Sequence, residues 1–201
     1  MFVQVIKGQV ADPARAHMAF DRWAEEIAPG ATGWLGTTAG VTDDGRFIAL
    51  ARFESEEAGR RNSDRPEQGR WWEEVSRLFS GEATFQNIRN DTLDVIGSPD
   101  SAGFVQVIQG RNSDPGRARD LMDSSSAALS DFRPEIIASA VVEHDDDAYT
   151  MAAYFTSEAE AREGERKQPP AELAATLEQL NSLAVGESEY FDLRDPWLYS
   201  P

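Results

Sequence analysis

The stretch FVQVIKGQVADPARA at residues 2–16 returns as FVQVIQGRNSDPGRA at residues 104–118, with ten of fifteen positions identical. The spacing of 102 residues persists downstream, where Phe53, Ser55 and Glu56 align with Phe155, Ser157 and Glu158. It widens to 105 between GEATFQNIRN (81–90) and GESEYFDLRD (186–195), which share Gly-Glu at the front and Arg89 with Arg194. A three-residue insertion in the second copy accounts for the change. Two such long copies do not make a solenoid, so the chain reads as two related domains. GSPDSAG at 97–103 is small, polar and turn-prone, the composition of a linker between domains 1–96 and 104–198.

Within each copy the pattern runs strand, helix, strand, strand, helix, strand. Phe2–Gly8 is rich in β-branched residues and predicts a strand. Asp12-Pro13 supplies an N-cap with proline at the first helical position, and Asp114-Pro115 repeats it. Ala16, Phe20, Trp23 and Ile27 recur on one helix face, and Pro29-Gly30 ends that helix. Trp34–Val41 and Arg46–Phe53 predict a hairpin around Asp43-Asp44-Gly45. In the second copy Asp145–Asp147 makes the turn and Tyr149–Phe155 the returning strand. Ser55-Glu56-Glu57 opens a short helix, and Pro66 starts another with Trp72, Val75, Leu78 and Phe79 expected on its apolar side. Thr84–Ile88 closes the unit.

This βαββαβ order is the ferredoxin-like arrangement, an α+β fold with helices on one face of an antiparallel sheet. The strands are apolar on both sides. Phe2 and Ile6 oppose Val3 and Val5; Phe47, Ala49, Ala51 and Phe53 oppose Ile48 and Leu50. Strands of that kind are covered on both faces. The simplest expectation is two tandem ferredoxin-like domains packed sheet to sheet, a pseudo-dimeric α/β barrel within one chain. A further homodimer of such chains remains open.

Composition narrows the partners. The formal net charge of −17 argues against nucleic acid and anionic membranes, whose binding rests on Lys and Arg. No apolar run is long enough for a membrane span, and MFVQVIKG lacks the marks of a signal peptide, so a cytoplasmic protein is expected. The chain has no cysteine, which excludes disulfides, thiolate–metal sites and thiol catalysis. No dinucleotide fingerprint, P-loop or serine nucleophile elbow is present. The two histidines carry little: His17 reads as solvated, and His144 beside Asp145-Asp146-Asp147 reads as an acidic turn rather than a metal site. No metal and no cofactor are expected.

The FVQVI strand with its DP-capped helix, the ARFES junction at 51–55 and RNSDRPEQGRWWEEVSRLFSGEATF at 61–85 resemble the dimeric α/β-barrel superfamily. The likeness is greatest to antibiotic-biosynthesis-monooxygenase-like domains and covers nearly the whole chain, twice. The resemblance implies the fold; for activity it implies a range from quinone-forming oxygenases to proteins without known chemistry. It also implies an Asn and a Trp in the helical region above the sheet, for which Asn62, Trp71 and Trp72 are the residues present. The haem degraders of this fold carry an axial His on the second helical region, which holds none here.

The residues leave two readings open at each position. Gln4 and Gln106, amid Val, Ile and Phe, orient a ligand oxygen or satisfy a structural hydrogen bond. Arg89 and Arg194, in matching final strands, are expected to be partly buried, stabilising an anion or pairing with a carboxylate. Trp71 and Trp72 cannot share one helix face, so one packs inward and the other lines an interface or cavity. Gly164 stands where the first copy has Asn62, so a site using that cluster belongs to the N-terminal half. The functional expectation is a cofactor-independent, monooxygenase-like enzyme for a small aromatic or polyketide-like molecule, with Asn62, Trp71 and Arg89 in the chemistry. Gln4, Trp72, Gln106 and Arg194 would hold the ligand. No general base stands out. The alternative is a non-catalytic small-molecule binder or a structural protein that retains the fold.

Overall fold

The computed structural model describes residues 1–89, 95–97 and 99–201. Residues 90–94 at the end of the first repeat, and Ser98 of the expected linker, lie outside the described residues. The chain forms two compact units, Met1–Leu93 with Phe191–Pro201, and Asp94–Tyr190.

The first repeat contains β1 (Phe2–Gln9), α1 (Pro13–Glu26), β2 (Trp34–Val41), β3 (Arg46–Phe53), α2 (Glu56–Ser63), α3 (Pro66–Val75) and β4 (Thr84–Arg89). A short strand β5 (Val95–Gly97) follows. The second repeat contains β6 (Phe104–Arg111), α4 (Pro115–Phe132), β7 (Ile136–Glu143), β8 (Ala148–Phe155), α5 (Glu158–Glu165), α6 (Ala171–Leu183) and β9 (Glu189–Leu193). A last strand, β10 (Trp197–Tyr199), ends the chain. Both sheets are antiparallel and five-stranded, ordered β10-β2-β3-β1-β4 and β5-β7-β8-β6-β9.

β5 and β10 occupy equivalent positions, 102 residues apart, and each joins the sheet of the other repeat. Trp197 pairs with Ala39 and Tyr199 with Thr37, so the tail of the chain completes the first unit. Trp197 is buried there, stacked on His17 and packed against Phe20 and Phe47.

The local signals read from sequence place most element starts. The Asp12 carboxylate accepts from the Arg15 backbone N–H at 3.0 Å and Asp114 from that of Arg117 at 2.9 Å. Ser55 and Ser157 cap α2 and α5 in the same way. Gly45 turns the first hairpin with φ of 82°, and its counterpart Asp147 adopts φ of 61°, a conformation that Asp tolerates better than most residues.

Both faces of the central strands are buried. Toward the helices point Phe2, Ile6, Phe47, Ala49 and Phe53; on the opposite face Val3, Val5, Ile48 and Leu50 are no more than 3% exposed. One sequence expectation needs correction. In α3 the deeply buried residues are Trp71 and Val75, whereas Trp72 is only half-buried, against Phe79 and Phe85. Trp71 and Val75 are one turn apart and share the inward face.

Because Trp197 fills the first core from the far end of the sequence, Trp197→Ala is expected to destabilise by about 3–5 kcal/mol. A urea unfolding midpoint close to that of the parent protein would show that β10 is a dispensable edge.

Candidate functional site

The first unit holds a cavity between the helix-facing side of its sheet and α1, α2 and α3. Its space originates in side-chain size. Ala49 and Ala51, mid-strand in β3, present small side chains where flanking positions carry Phe47 and Phe53. Gly59 in α2 lies against the Phe2 ring, where a Cβ would not fit, and so brings that helix close to the rim. About 50 Å³ is open to the centre of a water molecule, enough for a few waters at ~10–15 Å³ each. The empty space within its whole outline, mouth included, is about 570 Å³.

The walls are aromatic and held in place. Phe20 meets Trp71 edge-on at 5.2 Å, and Trp23 meets Trp34 edge-on at 5.1 Å. The Trp71 indole N–H donates to the Ala19 carbonyl at 2.8 Å, and that of Trp23 to Gln68 Oε1 at 2.6 Å. With their N–H groups bonded, the indoles offer flat faces rather than hydrogen bonds.

The polar lining is neutral and directional. Asn62 is buried at the end of α2, and its Oδ1 accepts from Arg65 at 3.0 Å. Arg65 also donates to the Ile27 carbonyl at 3.1 Å and to Glu67 at 2.9 Å, tying the end of α1 to the α2–α3 junction. The Glu67 carboxyl is held below its ordinary range by its own backbone N–H and by Arg65. With Oδ1 engaged, Asn62 has its NH₂ donors for the cavity. Gln4 has the opposite polarity: its Nε2 donates to Asn87 Oδ1 at 3.0 Å, which leaves its carbonyl oxygen. Amide orientations of this kind follow from the hydrogen-bond network. Tyr199, from β10, also lines the cavity and donates its hydroxyl to Asp21 at 2.8 Å. Burial first, and then that hydrogen bond, push the phenol far above its ordinary range, so it is neutral.

The structure thus brings Gln4, Asn62 and Trp71 together and separates them from the rest of the expected set. Trp72 is not among the lining residues. Arg89 was expected to be partly buried; its side chain is 77% exposed and pairs with Glu56, whose carboxyl it holds low. Arg194 lies just beyond β9 and pairs with Asp43. Both sit at exposed ends of strands, where solvation is less costly than burial. Gln106 is in the second unit, half-buried opposite Ala153. His17 is less solvated than expected, being stacked on Trp197 at 4.7 Å with a 12° angle between planes. His144 lies 3.0 Å from Thr150 Oγ1. Among the described residues no three His, Asp or Glu side chains converge in a way that could hold a metal. Sequence reasoning missed Thr37, Gln68 and Tyr199. The signal for Tyr199 was the Trp-Leu-Tyr alternation at 197–199.

The second unit differs at the equivalent positions. Met122, Ser125, Ile136 and Leu173 stand in place of Phe20, Trp23, Trp34 and Trp71. Gly164 stands in place of Asn62, and a Cβ there would overlap the Glu135 carboxylate. Glu135 is buried and pairs with Arg133, whose guanidinium also donates to the Ala161 carbonyl at 3.2 Å; Lys167 lies 3.9 Å away. Burial raises the Glu135 carboxyl, but the hydrogen bonds from Arg133 and its backbone outweigh it and hold the group low. The second unit thus fills with an ion pair the place where the first holds its asparagine.

A comparison with family models finds no match, and neither does one with curated proteins. Solved structures do match over the whole length. A candidate monooxygenase of Lactobacillus acidophilus is 10% identical with a TM-score of 0.77, covering 99% of this chain and 95% of that one. A candidate monooxygenase of Fusobacterium nucleatum is 8% identical with a TM-score of 0.73, covering 99% and 94%. An anthrone oxidase-like protein is 11% identical with a TM-score of 0.63, covering 98% and 93%. The chain shares with these proteins a fold of two tandem ferredoxin-like units. No helix among the described residues is long and apolar enough to cross a membrane.

Two outcomes follow for the second unit of this tandem fold. Gly164→Asn, which copies the first unit's residue, is expected to destabilise by at least about 1–3 kcal/mol in urea unfolding. A carboxyl held low by folding contributes fully above its unfolded value of about 4.3, and that contribution is lost as pH falls through the folded value. Glu135→Gln is therefore expected to flatten the acid side of the stability–pH curve below about pH 5. An unchanged slope in pH-dependent melting would show that Glu135 is not a source of the acid lability.

Proposed function

We propose that the first unit's cavity binds a small planar aromatic or polyketide-like molecule and oxidises it with dioxygen, without a cofactor. The observation that carries this is the convergence of aromatic walls (Phe20, Trp23 and Trp71) on a neutral polar pair, the NH₂ of Asn62 and the carbonyl of Gln4. Flat apolar faces suit a ring system, and opposed amides suit one that carries hydroxyl and keto oxygens. Proteins of the same fold include candidate monooxygenases and an anthrone oxidase-like protein, so this chemistry is compatible with the scaffold.

An anthrone illustrates the balance. Loss of a proton from the reacting CH₂ gives a carbanion delocalised onto the ring oxygens. The carbanion reduces dioxygen, a C–O bond forms, and the resulting peroxide takes up a proton. Loss of the second C–H proton and cleavage of the O–O bond release water and leave a carbonyl. Overall, R₂CH₂ and O₂ become R₂C=O and H₂O. Asn62 would stabilise the anion through its N–H groups, Trp71 would stack on the ring, and Gln4 would accept from a ring hydroxyl. Placed away from the cavity, Arg89, Arg194, Trp72 and Gln106 have no part in this scheme.

A second reading, a binder without catalysis, draws on one observation: among the described residues Tyr199 is the one titratable residue in the lining, and it is held neutral. Both readings are tested by titrating the protein with 1,8-dihydroxyanthraquinone, following tryptophan fluorescence, and by mixing it with 1,8-dihydroxyanthrone in air while recording dioxygen uptake and quinone absorbance. Saturable quenching with uptake above the uncatalysed rate is expected. Asn62→Ala is expected to weaken binding about 5- to 10-fold, the worth of one hydrogen bond. Quenching without uptake would favour the binder, and neither signal would remove both readings.

A further inference from the structure

Among the described residues, the cavity lining holds no carboxylate or imidazole that could take a proton from a bound molecule. Directly behind it lies a row of titratable groups that leads outward. Tyr199 lines the cavity and donates its hydroxyl to Asp21 Oδ1 at 2.8 Å. The same Asp21 oxygen is 3.7 Å from Nε2 of His17, one helical turn earlier in α1. On its other side, Nδ1 of His17 is 3.6 Å from the Asp195 carboxylate. The row ends at the surface: the Asp21, His17 and Asp195 side chains are 51%, 33% and 85% exposed. The His17 ring is fixed by its stack on Trp197, the residue two before Tyr199. Three contributors, α1, β10 and the segment preceding β10, thus meet at one end of the cavity.

On the reading that the cavity performs the oxidation described above, we propose that Tyr199, Asp21 and His17 form the proton exit that serves as its general base. The bound substrate's C–H or O–H proton goes to Tyr199 Oη as the tyrosine's own proton passes to the Asp21 carboxylate. Asp21 hands a proton to His17 Nε2, giving an imidazolium paired with Asp195. The gap of 3.7 Å is bridged by a small side-chain rotation or one water, for which half-exposed Asp21 has room. One proton leaves the substrate and one appears on His17, so charge balances, and the imidazolium then releases its proton to solvent.

Tyr199 would be a catalytic residue because it touches the substrate; Asp21 and His17 act through it. The hydrogen bond to Asp21 suits Tyr199 to a concerted hand-over and not to a standing phenolate. Among the described residues, the charged groups facing His17 are Asp21 on its own helix and Asp195 on the C-terminal segment, with Tyr199 bonded to the far side of Asp21.

The test measures kcat and KM for 1,8-dihydroxyanthrone in air across pH, in the full-length protein and in Tyr199→Phe, Asp21→Asn and His17→Gln. Binding of 1,8-dihydroxyanthraquinone serves as the control for fold and affinity. The relay requires Tyr199→Phe to lower kcat on the order of 100-fold with KM and quinone affinity nearly unchanged. It requires His17→Gln to lose the acid limb of the kcat profile and to regain rate with added imidazole. Turnover in His17→Gln or Tyr199→Phe matching the parent in rate and pH profile would overturn the relay and leave the oxidation standing. Absence of turnover in the parent protein would overturn both. Loss of quinone binding in Tyr199→Phe, with His17→Gln unchanged in every respect, would make Tyr199 a ligand contact and end the relay.

Discussion

Strands β1 and β3 have apolar side chains on both faces, and much else in the first unit answers to that constraint. A strand with Phe2 and Ile6 on one side and Val3 and Val5 on the other has no face to give to water. The helices must cover one side completely, which brings Phe20, Trp23 and Trp71 over the sheet centre. The cavity exists because this cover is built of large rigid rings over small residues. Rings that meet edge-on cannot collapse onto Ala49 and Ala51 as flexible aliphatic chains would. The void is thus a consequence of core composition, and its shape, bounded by flat faces, follows from the same rings.

The duplication shows which parts of that arrangement the fold itself requires. Strand order, capping aspartates, capping serines and the exchange of β5 and β10 are common to both repeats. The aromatic walls are not, and neither is Asn62. Each unit nevertheless fastens the same junction with an arginine. In the first, Arg65 reaches back from the start of α3 to the end of α1; in the second, Arg133 reaches forward from the end of α4 to α5. The first solution employs a neutral amide that keeps donors to spare, the second a buried carboxylate whose charge is consumed by its partner. A fold needs the junction closed, and either closure serves. On the proposed reading, the spare donor beside the cavity is what the neutral closure adds.

Most of the architecture was legible because its signals are local. Asp-Pro caps, the Asp-Asp-Gly turn and period-two alternation act over a few residues, and β2 and β3 begin and end where those signals put them. The site was legible only in part. Asn62, Trp71 and Gln4 stood out as unusual residues in apolar surroundings, and they share the cavity. Arg89 and Arg194 were conspicuous for repeating, but repetition reports ancestry, and both side chains lie where water solvates them. The wrong tryptophan was placed on the inner face because α3 is short and runs into a tighter turn at Ser76–Leu78, which alters the phase of the stripe. Tyr199 escaped because its partners, Thr37 and Asp21, are more than 160 residues away in sequence, and no local pattern announces such a pairing.

The surface charge gives the interior arrangement a further physical meaning. A chain with a net charge of −17 surrounds its cavity with a field that disfavours any additional anion inside it. On the proposed reading, a bound carbanion or phenolate would need donors facing it directly, the part that the NH₂ of Asn62 would take. The same field favours the opposite movement, because a proton leaving the cavity travels toward negative potential. Asp21 and Asp195 are local members of that field, on either side of His17. On the proposed reading, an acidic exterior and a neutral, donor-bearing interior would draw a substrate's proton outward while leaving its electrons within. That division of charge is what a reaction consuming a carbanion in a water-poor site requires.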